Sequence, residues 1–128
     1  MNRCMNVLAA AIAVLLGGCA TLNETYIAET TTMLEGDGVR IFEDLEQDAW
    51  GGATFQYRAS NMNDVPVCVQ VTMNSGAQTS GHSMGSIIRV PPGETVEIGY
   101  VIAPAQFDLS SVYWGPQSDG SCGYPPPE

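Results

Sequence analysis

The sequence contains no lysine, and its four arginines face 14 aspartates and glutamates. The formal net charge is therefore −10 at pH 7. A surface of this sign repels the phosphate backbone of nucleic acids and the head groups of anionic lipids. We expect no nucleic acid partner, and any attachment to a membrane must come from apolar groups.

The sequence also lacks an apolar run long enough to span a bilayer, because a transmembrane helix needs about 20 apolar residues. The run from Val7 to Leu16 has ten residues, follows a short start whose only charge is Arg3, and precedes two glycines. A positive start, a short apolar core and small residues are typical of a secretory signal peptide. We therefore predict that residues 1–18 are a leader.

The residues at the end of this leader, Leu16 to Cys19, read LGGC. They resemble the lipobox of bacterial lipoproteins, which implies diacylglycerol on the Cys19 thiol, cleavage after Gly18 and acylation of the new amino group. Ala20 stands where an aspartate would resemble the retention signal of the inner membrane. The resemblance thus implies a lipid anchor in the cell envelope, on the periplasmic face of the outer membrane.

Removal of the leader leaves 14 acidic residues against three arginines, so the formal charge becomes −11. With Cys4 removed and Cys19 lipidated, the remaining cysteines are Cys68 and Cys122. An even pair in an oxidising compartment favours one disulfide. A zinc site on the same pair lacks the close spacing and the further ligands that zinc requires.

The residues that remain after removal of the leader divide into a tether and one domain. Residues 19–38 are the lipidated N-terminus and a segment rich in Thr, Glu and Gly, which predicts a flexible tether. Residues 39–128 contain short alternating segments between Pro/Gly turns, which predicts an all-β fold, a small antiparallel β-sandwich of immunoglobulin-like or cupredoxin-like type. Residues 39–50 fit a strand or a helix, and the strands that follow favour a strand.

Alternation predicts which side chains enter the core. The inward positions are Phe55, Tyr57, Ala59, Val67, Val69, Val71, Met73, Ile88, Val90, Val96, Ile98, Tyr100 and Ile102. Cys68 falls on the opposite side from Val67 and Val69, so a bond to Cys122 would hold the Gly/Pro-rich C-terminal tail across the outside of the sheet. Trp114 belongs to a last strand before that tail.

Residues that support catalysis are scarce. His82 is the only histidine, it lies in a Gly/Ser-rich segment, and no nucleophile, base and orienting group occur together. Carboxylates are concentrated at Glu35, Asp37, Glu43, Asp44, Glu46 and Asp48. They fit a solvated acidic face better than a glycosidase pair, and their spacing lacks the pattern of the common calcium loop. We predict no enzymatic activity and no cofactor.

Soft ligands form another pattern, because thioether and imidazole groups suit Cu(I). The sequence from His82 to Met84, with Met62 and Met73 upstream, resembles the methionine and His-x-Met pattern of periplasmic copper carriers with a cupredoxin-like fold. The resemblance implies an alternative function, a periplasmic copper-binding lipoprotein with Met73, His82 and Met84 as ligands. Methionines that fill gaps in the core and a histidine that faces water would account for the same residues.

The main hypothesis is a membrane-anchored envelope lipoprotein of non-enzymatic binding or structural type. A lipid confines the domain to a plane and raises its effective concentration for partners there. The expected partner is an envelope protein or a glycan. The aromatic side chains that could contact it are Tyr100, Tyr113, Trp114 and Tyr124.

Overall fold

The computed structural model describes residues 25–127, which form two antiparallel sheets packed as a small β-sandwich. The strands are β1 (Thr25–Gly36), β2 (Val39–Asp48), β3 (Ala53–Asn61), β4 (Val67–Met73), β5 (Gly81–His82), β6 (Ile87–Val90), β7 (Thr95–Ile102) and β8 (Leu109–Trp114). One sheet has the order β1-β2-β3-β7-β5 and the other the order β6-β4-β8. Within residues 25–127, no helix is long and apolar enough to cross a bilayer.

The core lies between the two sheets and is formed by alternate side chains. The buried members are Val39, Ile41, Tyr57, Ala59, Val67, Val69, Val71, Val90, Ile98 and Val101. Phe55, Met73, Ile88 and Val96 are partly buried and pack against them. The predicted inward positions are therefore confirmed, except for two in β7.

The two exceptions, Tyr100 and Ile102, result from a β-bulge. β3 and β7 pair Tyr57 with Gly99 but Arg58 with Glu97, so Ile98 is an extra residue in β7. A bulge places two residues of one strand opposite one of its partner and resets the alternation. Tyr100 and Ile102 consequently lie on the outer face, 38% and 37% exposed, and the prediction that they point inward is wrong.

The segment that fitted either a strand or a helix is strand β2. Its apolar alternation is interrupted because Glu43 lies on the inner face, opposite Tyr57 in β3. The buried Tyr57 hydroxyl donates a hydrogen bond of 2.6 Å to Glu43 Oε2. This bond provides a partner for the carboxylate at the margin of the core, where an unpaired polar group would be destabilising.

Strand β1 corrects the predicted tether. It pairs with β2 from Thr25 opposite Asp48 to Gly36 opposite Val39, so the tether is wrong for residues 25–36 and the sheet begins before residue 39. Most of β1 is exposed, and Leu34 is its contribution to the core. The strand is therefore held mainly by backbone hydrogen bonds to β2, which composition does not reveal.

The disulfide between Cys68 and Cys122 is present, with the two Cα atoms 5.6 Å apart. Cys68 faces away from the core cluster and is nevertheless fully buried. It lies opposite Trp114 in β8, whose indole Nε1 donates a 2.8 Å hydrogen bond to the Cys122 carbonyl. The C-terminal tail is thus fastened to the outside of the three-stranded sheet, as the alternation in β4 predicted.

Candidate functional site

The predicted lipidation site, Cys19, lies outside the described residues, as does the leader of residues 1–18. The first described residue, Thr25, begins an edge strand of the five-stranded sheet. Lipidation therefore stays a prediction. The fold adds that the predicted attachment point is close in sequence to a structured strand.

The three proposed copper ligands differ in their surroundings. Met73 and Met84 are partly buried and pack against the core cluster, whereas His82 is exposed. The His82 Nδ1 accepts a 3.1 Å hydrogen bond from the Met84 backbone N–H, so these two residues are neighbours through a local turn. Both methionines occupy positions that apolar packing explains, and copper binding stays a prediction.

The acidic residues between Glu35 and Asp48 do not form one cluster. Alternation in β2 places Glu43 on the inner face and Asp44 and Glu46 on the outer face. Glu35 forms an exposed ion pair with Arg40, with 2.8 Å between Oε2 and Nε. Among residues 25–127, no group of three or more His, Cys, Asp or Glu side chains could hold a metal ion.

A polar cluster on the outer face of the five-stranded sheet is the site that sequence reasoning missed. It joins Thr30 of β1, Asp44 of β2 and Arg58 of β3. Thr30 lies directly opposite Asp44, and Arg58, which lies opposite Phe42, is the diagonal neighbour of Asp44. The Thr30 hydroxyl donates to Asp44 Oδ1 at 2.6 Å, and Arg58 Nε and Nη2 donate to the two carboxylate oxygens at 2.7 and 3.3 Å. The Arg58 guanidinium carbon lies 4.4 Å from the centre of the Phe42 ring.

These contacts fix the charges of the cluster. The hydrogen bond from Arg58 is the largest effect on the pKa of Asp44, and with the bond from Thr30 it lowers that pKa despite burial. The hydrogen bond to Asp44 likewise raises the pKa of Arg58. Both carboxylate oxygens already accept hydrogen bonds, and Asp44 is 5% exposed. The cluster therefore stabilises the sheet and has no free carboxylate for acid or base chemistry.

A hairpin signal could have revealed this cluster. The sequence Trp50-Gly51-Gly52 breaks the strand pattern, and a hairpin folded there sets Asp44 opposite Gln56 and Phe42 opposite Arg58. Asp44 and Arg58 are then diagonal neighbours on one face of the sheet.

The aromatic side chains proposed as contacts fall into two groups. Tyr100 and Tyr124 are exposed, Tyr124 by 89%. Tyr113 and Trp114 are partly buried, and the Tyr113 hydroxyl donates a 2.7 Å hydrogen bond to Asp37 Oδ2. Trp50, which was not proposed, is 72% exposed at the turn between β2 and β3.

No family model, no curated protein and no solved structure matches this chain.

Proposed function

We propose that this protein is a bacterial envelope lipoprotein whose β-sandwich is anchored by lipid on Cys19 and contacts other envelope components without catalysing a reaction. The membrane would be the outer membrane, with the domain on its periplasmic face. The anchor would concentrate the domain near partners that share the membrane plane.

The observation that carries the proposal is the leader and its end. An apolar run from Val7 to Leu16 leads into LGGC at residues 16–19. The glycines leave the backbone accessible to a peptidase, and the thiol is the nucleophile that a lipid donor alkylates. Each buried methylene of an acyl chain contributes about 0.8 kcal/mol to membrane binding, and two or more chains hold a protein durably.

The disulfide between Cys68 and Cys122 supports the export that the proposal requires. Such bonds persist in the periplasm and are rare in a reducing cytosol. The net negative charge is consistent with anchoring by lipid. Anionic head groups repel an acidic domain, so charge cannot hold this domain at a membrane. A covalent anchor compensates for this repulsion.

The contacts of the polar side chains support a non-enzymatic role. Asp44 is bound by Arg58, Glu43 accepts a hydrogen bond from Tyr57, and Asp48 accepts bonds from the backbone N–H groups of Trp50 and Gly52. Each of these contacts holds the fold. Exposed rings such as Tyr100 and Tyr124 are instead free to meet a partner.

The test is metabolic labelling of the full chain with a fatty acid, followed by separation of inner and outer membranes. Wild-type protein should take up label and fractionate with the outer membrane, whereas Cys19→Ser should remain an unlabelled precursor of higher mass. Cys4→Ser is the matched control, because it removes a leader cysteine upstream of LGGC and should label normally. Label that persists in Cys19→Ser would refute the proposal.

A further inference from the structure

We infer that one end of the five-stranded sheet rests on the membrane surface and inserts apolar side chains among the lipid head groups. We call it the Trp50 end, and it comprises Tyr26, Ile27, Trp50 and Ile102. This inference depends on the proposed lipidation of Cys19. It adds an orientation and a lipid-contacting surface to that proposal.

Chain length brings this end to the membrane. Thr25, the first residue of β1, follows Cys19 by six positions. Six residues reach at most about 22 Å even when fully extended. The sequence predicts a flexible tether over residues 19–38, but β1 already begins at Thr25. The sheet therefore cannot lie far from a lipid on Cys19.

The Trp50 end is the end of the sheet at which β1 begins. Thr25 lies opposite Asp48, the last residue of β2, and Trp50 lies in the turn that follows. Ile27, Glu46, Thr54 and Ile102 form one row across four neighbouring strands. In β1 and β2 this row lies two residues from the end at which Thr25 pairs with Asp48. Its side chains and Trp50 therefore share that end of the sheet.

Apolar side chains are exposed at this end. The exposed fractions are 72% for Trp50, 58% for Ile27, 43% for Tyr26 and 37% for Ile102. Tryptophan and tyrosine are enriched where proteins meet the head-group region, because their rings are apolar and their N–H or O–H groups remain hydrated. A lipid surface is therefore an occupant that matches both the reach of the chain and the exposed residues.

The opposite end of the sandwich carries more charged side chains. Glu35, Asp37, Asp64 and Glu94 lie in or beside the turns there, with Arg40 and Arg89 as neighbouring cations. Met62 and Val65 are exposed in the same region, but they lie among these carboxylates. Ten residues of β2 separate the two ends, about 30 Å at the usual rise of a strand.

The charges at the Trp50 end indicate which lipids it accepts. The Asp48 carboxylate receives hydrogen bonds of 2.8 Å from the backbone N–H groups of both Trp50 and Gly52, so it closes the turn. Glu46 lines the neighbouring open depression together with Asp48, Thr54 and Ile102. Two carboxylates favour zwitterionic over anionic head groups.

The two tryptophans of the chain provide a probe and its control. Trp114 lies at the opposite end, because it pairs with Cys68 at the start of β4 and follows Tyr113, which bonds to Asp37 in the turn between β1 and β2. Trp114→Phe leaves Trp50 as the only tryptophan, and Trp50→Phe leaves Trp114. Lipidated full-length variants are reconstituted into phosphatidylcholine vesicles with or without bromine on the acyl chains, and flotation confirms that each is bound.

Bromine should cause a clear loss of the emission of Trp50, as expected for a ring in the head-group region, and leave the emission of Trp114 nearly unchanged. If Trp114→Phe folds poorly, the emission of Trp50 can be obtained instead by subtracting the emission of Trp50→Phe from that of the wild type. Vesicle-bound protein whose Trp50 is unquenched, or whose two tryptophans are quenched equally, would overturn the orientation and leave the anchor intact. Protein that carries no lipid and does not float would overturn both.

Discussion

Asp44 lies on the outer face of the five-stranded sheet, yet it is almost fully buried, because Arg58 and Thr30 close over its carboxylate. Burial alone would raise the pKa of this carboxyl, but the hydrogen bond from Arg58 outweighs burial and lowers it. The pair is therefore a stabilising contact only while both partners are present. A carboxylate left alone in this position would carry the desolvation cost without compensation.

Arg58→Met should lower the free energy of unfolding by about 2 kcal/mol at pH 7, less than the 3–5 typical of a fully buried pair, because the Arg58 side chain is 35% exposed. The lowered pKa of Asp44 stabilises the wild type above about pH 4, and this stabilisation is lost as the pH falls through the lowered value. The difference between variant and wild type should therefore shrink on acidification in urea melts. Arg40→Met, which breaks the exposed pair with Glu35, should cost less than about 1 kcal/mol. Equal losses for the two variants would contradict this account.

At the scale of residues, alternation predicts most of the core because one face of each strand is buried. It fails where a residue breaks the period of two. The bulge at Ile98 turns Tyr100 and Ile102 outward. Gly99, the next residue, is a signal of a bulge inside a strand, but it does not fix which residue is the extra one. Glu43 is the opposite case, a charged residue on an inner face that the Tyr57 hydroxyl makes tolerable.

At the scale of elements, β1 shows why a strand can be invisible in a sequence. Its side chains are exposed along most of its length, so it has no apolar alternation to detect. Register shifts at Ala28 and Met33 disturb its pattern further. What makes it a strand is its pairing with β2, and that partner could be identified only after residues 39–48 were known to be a strand themselves.

Hydrogen exchange followed by mass spectrometry should show whether β1 is ordered in solution. β1 is paired on one side only, so about half of the amides between Thr25 and Gly36 should be protected at neutral pH, as expected for an edge strand. β3 is paired on both sides, so a larger fraction of its amides should be protected from exchange, and its peptides provide the control. Complete exchange of residues 25–36 within seconds would show that this segment is a tether after all.

At the scale of the whole molecule, the sandwich class follows from the number of short strands and turns. The composition predicts two packed sheets, because strands with one apolar face must bury it against another layer. It cannot predict that β1, β2, β3, β7 and β5 share one sheet, since that order depends on pairings between distant segments. The outer-face cluster was missed for the same reason, as Thr30, Asp44 and Arg58 come together only through strand order.

The disulfide connects the three-stranded sheet to a tail with no strand of its own. It closes a loop of 54 positions, for which the loss of chain entropy in the unfolded state predicts a stabilisation of about 4 kcal/mol. A single small domain has a total stability of about 5–15 kcal/mol. One covalent bond therefore accounts for a large share of the stability of this protein.

Replacing both Cys68 and Cys122 with alanine should lower the free energy of unfolding by about 4 kcal/mol, because the unfolded chain regains the entropy of the open loop. Equilibrium urea denaturation, followed by circular dichroism, measures the difference. Reductant should produce a similar loss in the wild type and no further loss in the double variant, which separates the effect of the bond from that of the substituted side chains. In the double variant, Trp114 should also become more exposed, because Cys122 no longer holds its hydrogen-bonding carbonyl in place. A loss below about 1 kcal/mol would show that packing of the tail, rather than the loop closure described by the entropy estimate, holds this side of the sandwich.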